Sequence, residues 1–256
     1  PNAFEAVLSQ SLLYAYYLDQ KDSAVNGLNR LIINNKVSPT MKAKAKIELG
    51  DIYLLKEEPW EATLLYSQVE KTQRETPLGY EAKLKNAKLS YFKGDFLLAQ
   101  EHLDILKQAT SREIANDAME LSMRIKENTT FDTTGAALKE YAAIELLLAQ
   151  NKTDLAQARL NEFQNSDLIT ESIKDDVYWL DANLFLKRGE FDQAVALLEK
   201  IVTEFGDDIL SDDAYFLEGE IFELHLKKND KAMEIYREFL NKYPGSVYAA
   251  EARKRY

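Results

Sequence analysis

Three apolar columns stay in phase six times along this 256-residue chain. The first column is a small residue: Ala24, Ala62, Ala99, Ala156, Ala194 and Ala232. Four positions on stand Leu28, Tyr66, Leu103, Leu160, Leu198 and Tyr236, and seven positions on stand Leu31, Val69, Leu106, Phe163, Ile201 and Phe239. That spacing places each trio on one face of a helix. The intervals between the alanines are 38, 37, 57, 38 and 38 residues. Another helical pattern precedes each trio, most clearly in residues 212–244. There Ala214, Leu217, Ile221, Phe222 and Leu224 lead into a polar turn, Lys227 to Asp230. Ala232, Ile235, Tyr236, Phe239 and Leu240 follow, and Pro244 stops the pattern. Neither helix can bury its apolar face alone, so the two must pack on each other and on neighbouring pairs.

A helix–turn–helix of about 34 residues, with a small residue opening the second helix and Pro closing it, resembles the tetratricopeptide repeat. Leu49-Gly50, with Tyr53 three residues on, is similar to that family's Leu-Gly pair. Gly94-Asp95-Phe96 and Gly189-Glu190-Phe191 are similar to its turn between helices. Departures are plain: Ala182 and Glu220 stand in the small-residue column, the sixth unit carries one extra residue, and the first and fourth units lack the Gly turn. The resemblance implies an all-α fold, a right-handed superhelical solenoid of six helix pairs with one extra helix and a capping helix. The C-terminal stretch YPGSVYAAEARKRY also resembles the end of bacterial cell-envelope repeat proteins of the outer-membrane-assembly lipoprotein type (BamD-like). SREIANDAMELSMRIKEN is similar to a segment of larger bacterial envelope repeat proteins.

The long interval holds the extra helix. Residues 111–127 predict one amphipathic helix, with Ile114, Ala115, Ala118, Leu121, Ser122 and Ile125 on one side and Ser111 as N-cap. A Thr-rich stretch without periodicity, 128–134, follows. Either it crosses over to restore the alternation of helices, or the stack has a joint there. The expected division is an N-terminal array at 1–127, a joint at 128–134 and an acidic C-terminal array at 135–256.

Composition excludes several chemistries. Without Cys there are no disulfides, thiol nucleophiles or Cys-ligated metals. His102 and His225 have no metal-ligand spacing to a second His. Asp207-Asp208 and Asp212-Asp213 lack the order of a calcium loop. Glu171-Ser172 resembles the Glu-Ser pair of lytic transglycosylases, but the Gly-rich remainder is missing. No phosphate loop, dinucleotide fingerprint or nucleophile elbow is present. No enzyme activity, cofactor or metal is expected. No apolar run reaches the length of a membrane span. The sequence opens on Pro1 without an initiator Met, and a longer natural protein is expected.

Residues 1–127 hold 17 Lys/Arg against 18 Asp/Glu, and residues 128–256 hold 15 against 25. The second half therefore carries nearly all of the net charge of −11. An acidic surface repels nucleic acid and favours a basic partner.

The family resemblance implies a non-enzymatic scaffold that binds a protein or peptide along the concave faces of the first helices. Those columns hold Tyr16, Tyr17, Asp51, Lys88, Tyr91, Phe92, Tyr141 and Glu145 in the first half. In the second half, Trp179 and Phe216 are candidate anchors, with Asp176, Asn183, Asp213 and Glu220 around them. Asp51, Glu145 and Glu220 stand where a clamp for acidic chaperone tails needs Lys, Arg or Asn. The expected location is the periplasm or cell envelope, with the cytoplasm as alternative. The rival reading is an accessory or regulatory domain of a larger enzyme or assembly machine.

Overall fold

The computed structural model describes residues 2–108, 112–130, 132 and 134–256, and among them there are helices and no strands. Two compact units divide between Ala156 and Gln157. The first contains α1 (Asn2–Tyr16), α2 (Lys21–Ile33), α3 (Pro39–Leu55), α4 (Pro59–Thr72), α5 (Pro77–Phe92), α6 (Phe96–Leu106), α7 (Arg112–Thr130) and α8 (Ala136–Ala149). Helix α9 (Thr153–Gln164) spans the division. The second continues with a 3-10 turn (Glu171–Ile173), α10 (Lys174–Arg188), α11 (Phe191–Glu204), α12 (Leu210–Glu220), a π-turn (Ile221–His225), α13 (Asn229–Lys242) and α14 (Ala249–Arg255). In the first unit α1–α2, α3–α4 and α5–α6 pair, and α2 and α4 pack on α3 and α5; in the second α10–α11 and α12–α13 pair, with α11 packed on α12 and α13 on α14. The all-α array of stacked helix pairs expected from the sequence is the observed architecture.

Local chemistry sets the helix starts. Pro39, Pro59 and Pro77 open α3, α4 and α5, where a missing N–H costs nothing. Ser38 and Thr76 cap two of them by accepting from the Met41 and Gly79 backbone N–H groups, each at 3.2 Å. Ser111, the expected cap of α7, lies outside the described residues.

All eighteen residues of the three apolar columns are buried. A fourth column emerges from the backbone. Asp19, Glu57, Gly94, Asn151, Gly189 and Lys227 all have positive φ, between +52° and +75°. Each lies five positions before its alanine. The six pairs therefore share one left-handed turn, including the first, second, fourth and sixth, where no Gly marks it. The handedness is set by the required crossing of the helices, and a non-Gly residue tolerates it at a cost of about 1–2 kcal/mol.

The extra residue of the sixth pair sits in the π-turn. A Cβ on Gly50 would stand 2.4 Å from a Tyr66 ring carbon, and one on Gly219 would stand 2.6 Å from the same carbon of Tyr236. Gly50 precedes its alanine by twelve positions and Gly219 by thirteen. The wider π-turn absorbs the difference. Gly219, not Glu220, therefore fills the small-residue column of this pair.

Helix α7 packs on α6, in the manner of a following first helix. Helix α8 then returns to contact α5 as well as α7. The chain crosses back, and α7 extends through Thr130, so residues 128–130 are helical. The sequence-expected joint at 128–134 lies inside the first compact unit.

Two substitutions separate packing from backbone strain. Ala194 is fully buried, so Ala194→Leu should cost about 1–3 kcal/mol by overpacking. Gly189 has φ +75°, and a Cβ there would meet only a Phe191 ring carbon in ordinary contact at 4.0 Å, so Gly189→Ala should cost about 1 kcal/mol through φ. Urea unfolding of both variants checks these values, and an unchanged midpoint for Ala194→Leu would break the assigned register.

Candidate partner-binding site

Most of the sequence-selected residues are tied into the fold. In the first unit Asp51 accepts from the Tyr66 hydroxyl at 2.5 Å and pairs with Lys85 at 2.9 Å. This joins both helices of the second pair to α5. Burial raises the pKa of the nearby Glu48 and Glu81, with Asp51 adding to the effect and Lys85 opposing it. Lys88 reaches Asp117 on α7 at 3.5 Å. Arg124 of α7 pairs with Glu145 at 3.3 Å and lies over the Tyr141 ring. Phe92 is half-buried against Tyr91.

The second unit repeats the pattern at its end. Tyr236 donates to Glu223 at 2.8 Å, and Arg255 of α14 pairs with Glu223 at 3.0 Å and Glu220 at 2.9 Å. The arrangement copies Tyr66, Asp51 and Lys85, with α14 in the role of the next first helix. Tyr248 donates to Asp213 at 2.6 Å and stacks on Phe216 at 4.7 Å. Asn183 donates to the Trp179 carbonyl at 2.8 Å, and Trp179 is half-buried.

Four selections need correction. Phe216, Tyr91, Tyr141 and Asp176 are buried and offer no surface to a partner. Phe216 in particular is covered by Tyr248, so it cannot anchor a peptide alongside Trp179. The C-terminal segment closes over a face that the sequence columns left open.

Tyr16 and Tyr17 differ. They are 48% and 81% exposed, beside the exposed Leu13 and Leu18. They stand at a cleft of about 720 Å³ within the first unit, whose other lining residues include Lys21, Glu57, Asn151 and Lys152. Three of the left-handed turns meet there, those of Asp19, Glu57 and Asn151. Lys152 and Glu57 pair across it at 2.7 Å. The alignment of turn positions was the signal that could have found this cleft, because turn residues at one register crowd to one end of a helix-pair stack.

Residues 213–246 match the family model for the tetratricopeptide repeat. The chain carries a tetratricopeptide repeat. Tetratricopeptide repeats generally mediate protein–protein interaction and are typically non-catalytic scaffolds. A tetratricopeptide repeat protein from Parabacteroides merdae is similar in structure over 100% of this chain and 99% of that one, with 15% identity and a TM-score of 0.44. No curated protein matches. Neither match is to an outer-membrane-assembly lipoprotein.

No group of His, Asp or Glu side chains among the described residues is arranged to hold a metal ion. His225 stacks on Phe191 at 4.2 Å, and burial lowers the pKa of His102. Glu171 of the Glu-Ser pair is bonded to Lys174 on the 3-10 turn. No helix among the described residues is long and apolar enough to cross a membrane.

The acidic run ahead of the matched repeat has one structural consequence. Burial, aided by Asp176 and Asp208, pushes the Asp175 carboxyl up to about 7. Its pKa in the unfolded chain is near 3.8. Between these values the folded state holds the extra proton, so this group's contribution to stability falls as pH rises from about 4 to about 7. Asp175→Asn should therefore raise the melting temperature at pH 8 and do so less at pH 4.5. Thermal unfolding at the two pH values checks the sign.

Proposed function

We propose that this chain is a non-enzymatic scaffold that holds a protein or peptide, with Tyr16 and Tyr17 as its anchors. The observation that carries the reading is the exposed pair Tyr16 and Tyr17 lining the first-unit cleft, with Leu13 and Leu18 exposed on the same segment. Aromatic side chains with one wet edge supply much of the energy at protein interfaces at low entropic cost. Lys21, Glu57 and Lys152 around them form a polar rim. The tetratricopeptide repeat makes a binding role the natural use of such a surface.

The partner in this reading is basic and is not a nucleic acid, a preference that comes from the long-range field of the whole chain's net charge of −11 and not from the Tyr17 cleft, whose own rim is mixed in sign. A place in a bacterial envelope assembly completes the proposal. It is supported by the sequence resemblance of the C-terminal stretch alone.

Tyr17→Ala should weaken partner capture about tenfold or more without changing the melting temperature, since Tyr17 is 81% exposed. Parallel pull-downs from envelope and cytosolic extracts, with wild type and variant, measure it. A partner retained equally by both proteins would move the interface away from this cleft. A partner found only in the cytosolic extract would overturn the envelope assignment.

A further inference from the structure

In the third and fifth pairs the residue directly before the small residue of the first helix faces the preceding helix. In the third pair it is Asn86, which donates to Ser67 and Glu70 on α4, each at 3.3 Å. In the fifth pair it is Asp181, which accepts from Gln157 at 2.8 Å and Gln164 at 2.9 Å on α9. Counted from their alanines, these partners stand one, five or eight positions along the second helix. A polar group at this position thus finds partners on the preceding helix, through both oxygens of Asp181 and through the amide nitrogen, though not the oxygen, of Asn86.

The sixth pair breaks the pattern. Its residue is Glu218, next to Gly219 and only 4% exposed. The corresponding positions on α11 are Val195, Glu199 and Val202: two hydrocarbons and a like charge. Among the described residues no hydrogen bond or ion pair holds the Glu218 carboxylate, and its oxygens are not sealed from solvent. It lines a cleft of about 870 Å³ between α11, α12 and α13, with Glu199, Val202, Tyr215, Glu238 and Lys242 around it. The other charged groups are already engaged. Glu199 pairs with Lys231 at 3.4 Å, Glu238 accepts from Tyr215 at 2.7 Å, and Lys242 donates to the Val202 carbonyl at 3.1 Å.

We propose that this cleft is a subsite for a cationic side chain, an Arg or Lys of a partner protein, whose donors supply to Glu218 what α9 supplies to Asp181. A carboxylate on a largely buried side chain with no partner in the protein is weakly solvated, and an inserted guanidinium satisfies both of its oxygens. The carboxylates are not grouped as metal ligands, so an extended organic cation fits where a compact ion does not. Apolar Val202 and the Tyr215 ring offer a wall to the aliphatic stem of such a side chain. Burial, with Glu199 and Glu238 adding to it and Lys231 opposing, pushes the Glu218 carboxyl up to about 7. Binding must therefore expel a proton at neutral pH and strengthen as pH rises through that value.

The subsite lies in the second unit, apart from the Tyr17 cleft. Its test uses the purified chain and a defined probe, so failure of the capture experiment leaves it standing. The probe is an acetylated, amidated Gly-Arg-Gly peptide, with the citrulline peptide as its uncharged isostere. Titration followed by carboxyl-carbon NMR should show the arginine peptide lowering the Glu218 pKa by one or more, and the citrulline peptide leaving it in place. Glu218→Gln should bind the arginine peptide about tenfold or more weakly. The same substitution should keep or raise the melting temperature at pH 8, which separates lost binding from lost folding. Glu223→Gln, at a carboxylate already held by Arg255, should bind as wild type does. Equal binding of the two peptides, or full binding by Glu218→Gln, would overturn the proposal.

Discussion

Where the helices of each pair cross, Ala24, Ala62, Ala99, Ala156 and Ala194 have no exposed surface left. At Gly50 and Gly219 even a methyl group would meet a tyrosine ring. Helix axes that close leave room for one arrangement of the connecting turn. That is why six turns of different composition, Asp19, Glu57, Gly94, Asn151, Gly189 and Lys227, adopt the same left-handed backbone. The strain at the four non-Gly turns is sustained by burial on both sides of them. The turn follows from the crossing, not from its own residues.

This dependence explains what the sequence made legible. The alanine, plus-four and plus-seven columns are direct images of helix packing, and all of them proved buried. The shared turn was legible only where it happened to be Gly, because Asp19 or Lys227 gives no local sign of positive φ. The candidate site was read less well, for a physical reason. Column position says which face a side chain leaves from, and says nothing of what comes back to meet it. Phe216 leaves from a first helix and is met by Tyr248, while Glu145 is met by Arg124. Both encounters depend on segments, the C-terminal helix and the extra helix α7, that fall outside the repeat pattern. Tyr17, met by nothing comparable, remains at the surface, while Tyr16 is half exposed and its hydroxyl is raised in pKa by burial near Asp51 and Glu48.

The charged groups sort by the same rule. Asp51 with Tyr66 and Lys85, and Glu223 with Tyr236 and Arg255, join a tyrosine of one pair to a cation of the next. Each such carboxylate is half-buried and compensated, so the acidic character of the chain is partly consumed in holding successive pairs together. The excess charge of the second half is therefore a poor guide to a binding surface until its internal partners are subtracted. What the subtraction leaves is a short list, and Glu218 heads it because its neighbours across the interface are Val195 and Val202.

The π-turn at Ile221–His225 lets the sixth pair carry a residue more than its siblings while Gly219 still meets Tyr236 as Gly50 meets Tyr66. The surplus is confined to one widened loop of helix close to the turn. Repeat length in such an array is therefore not a fixed quantity but a slack one, adjustable by single residues at the end of a first helix without disturbing the contacts on either side. An alignment that counts residues from the alanine of the second helix will drift by one upstream of such a bulge, and every side chain it names there will be assigned to the neighbouring face.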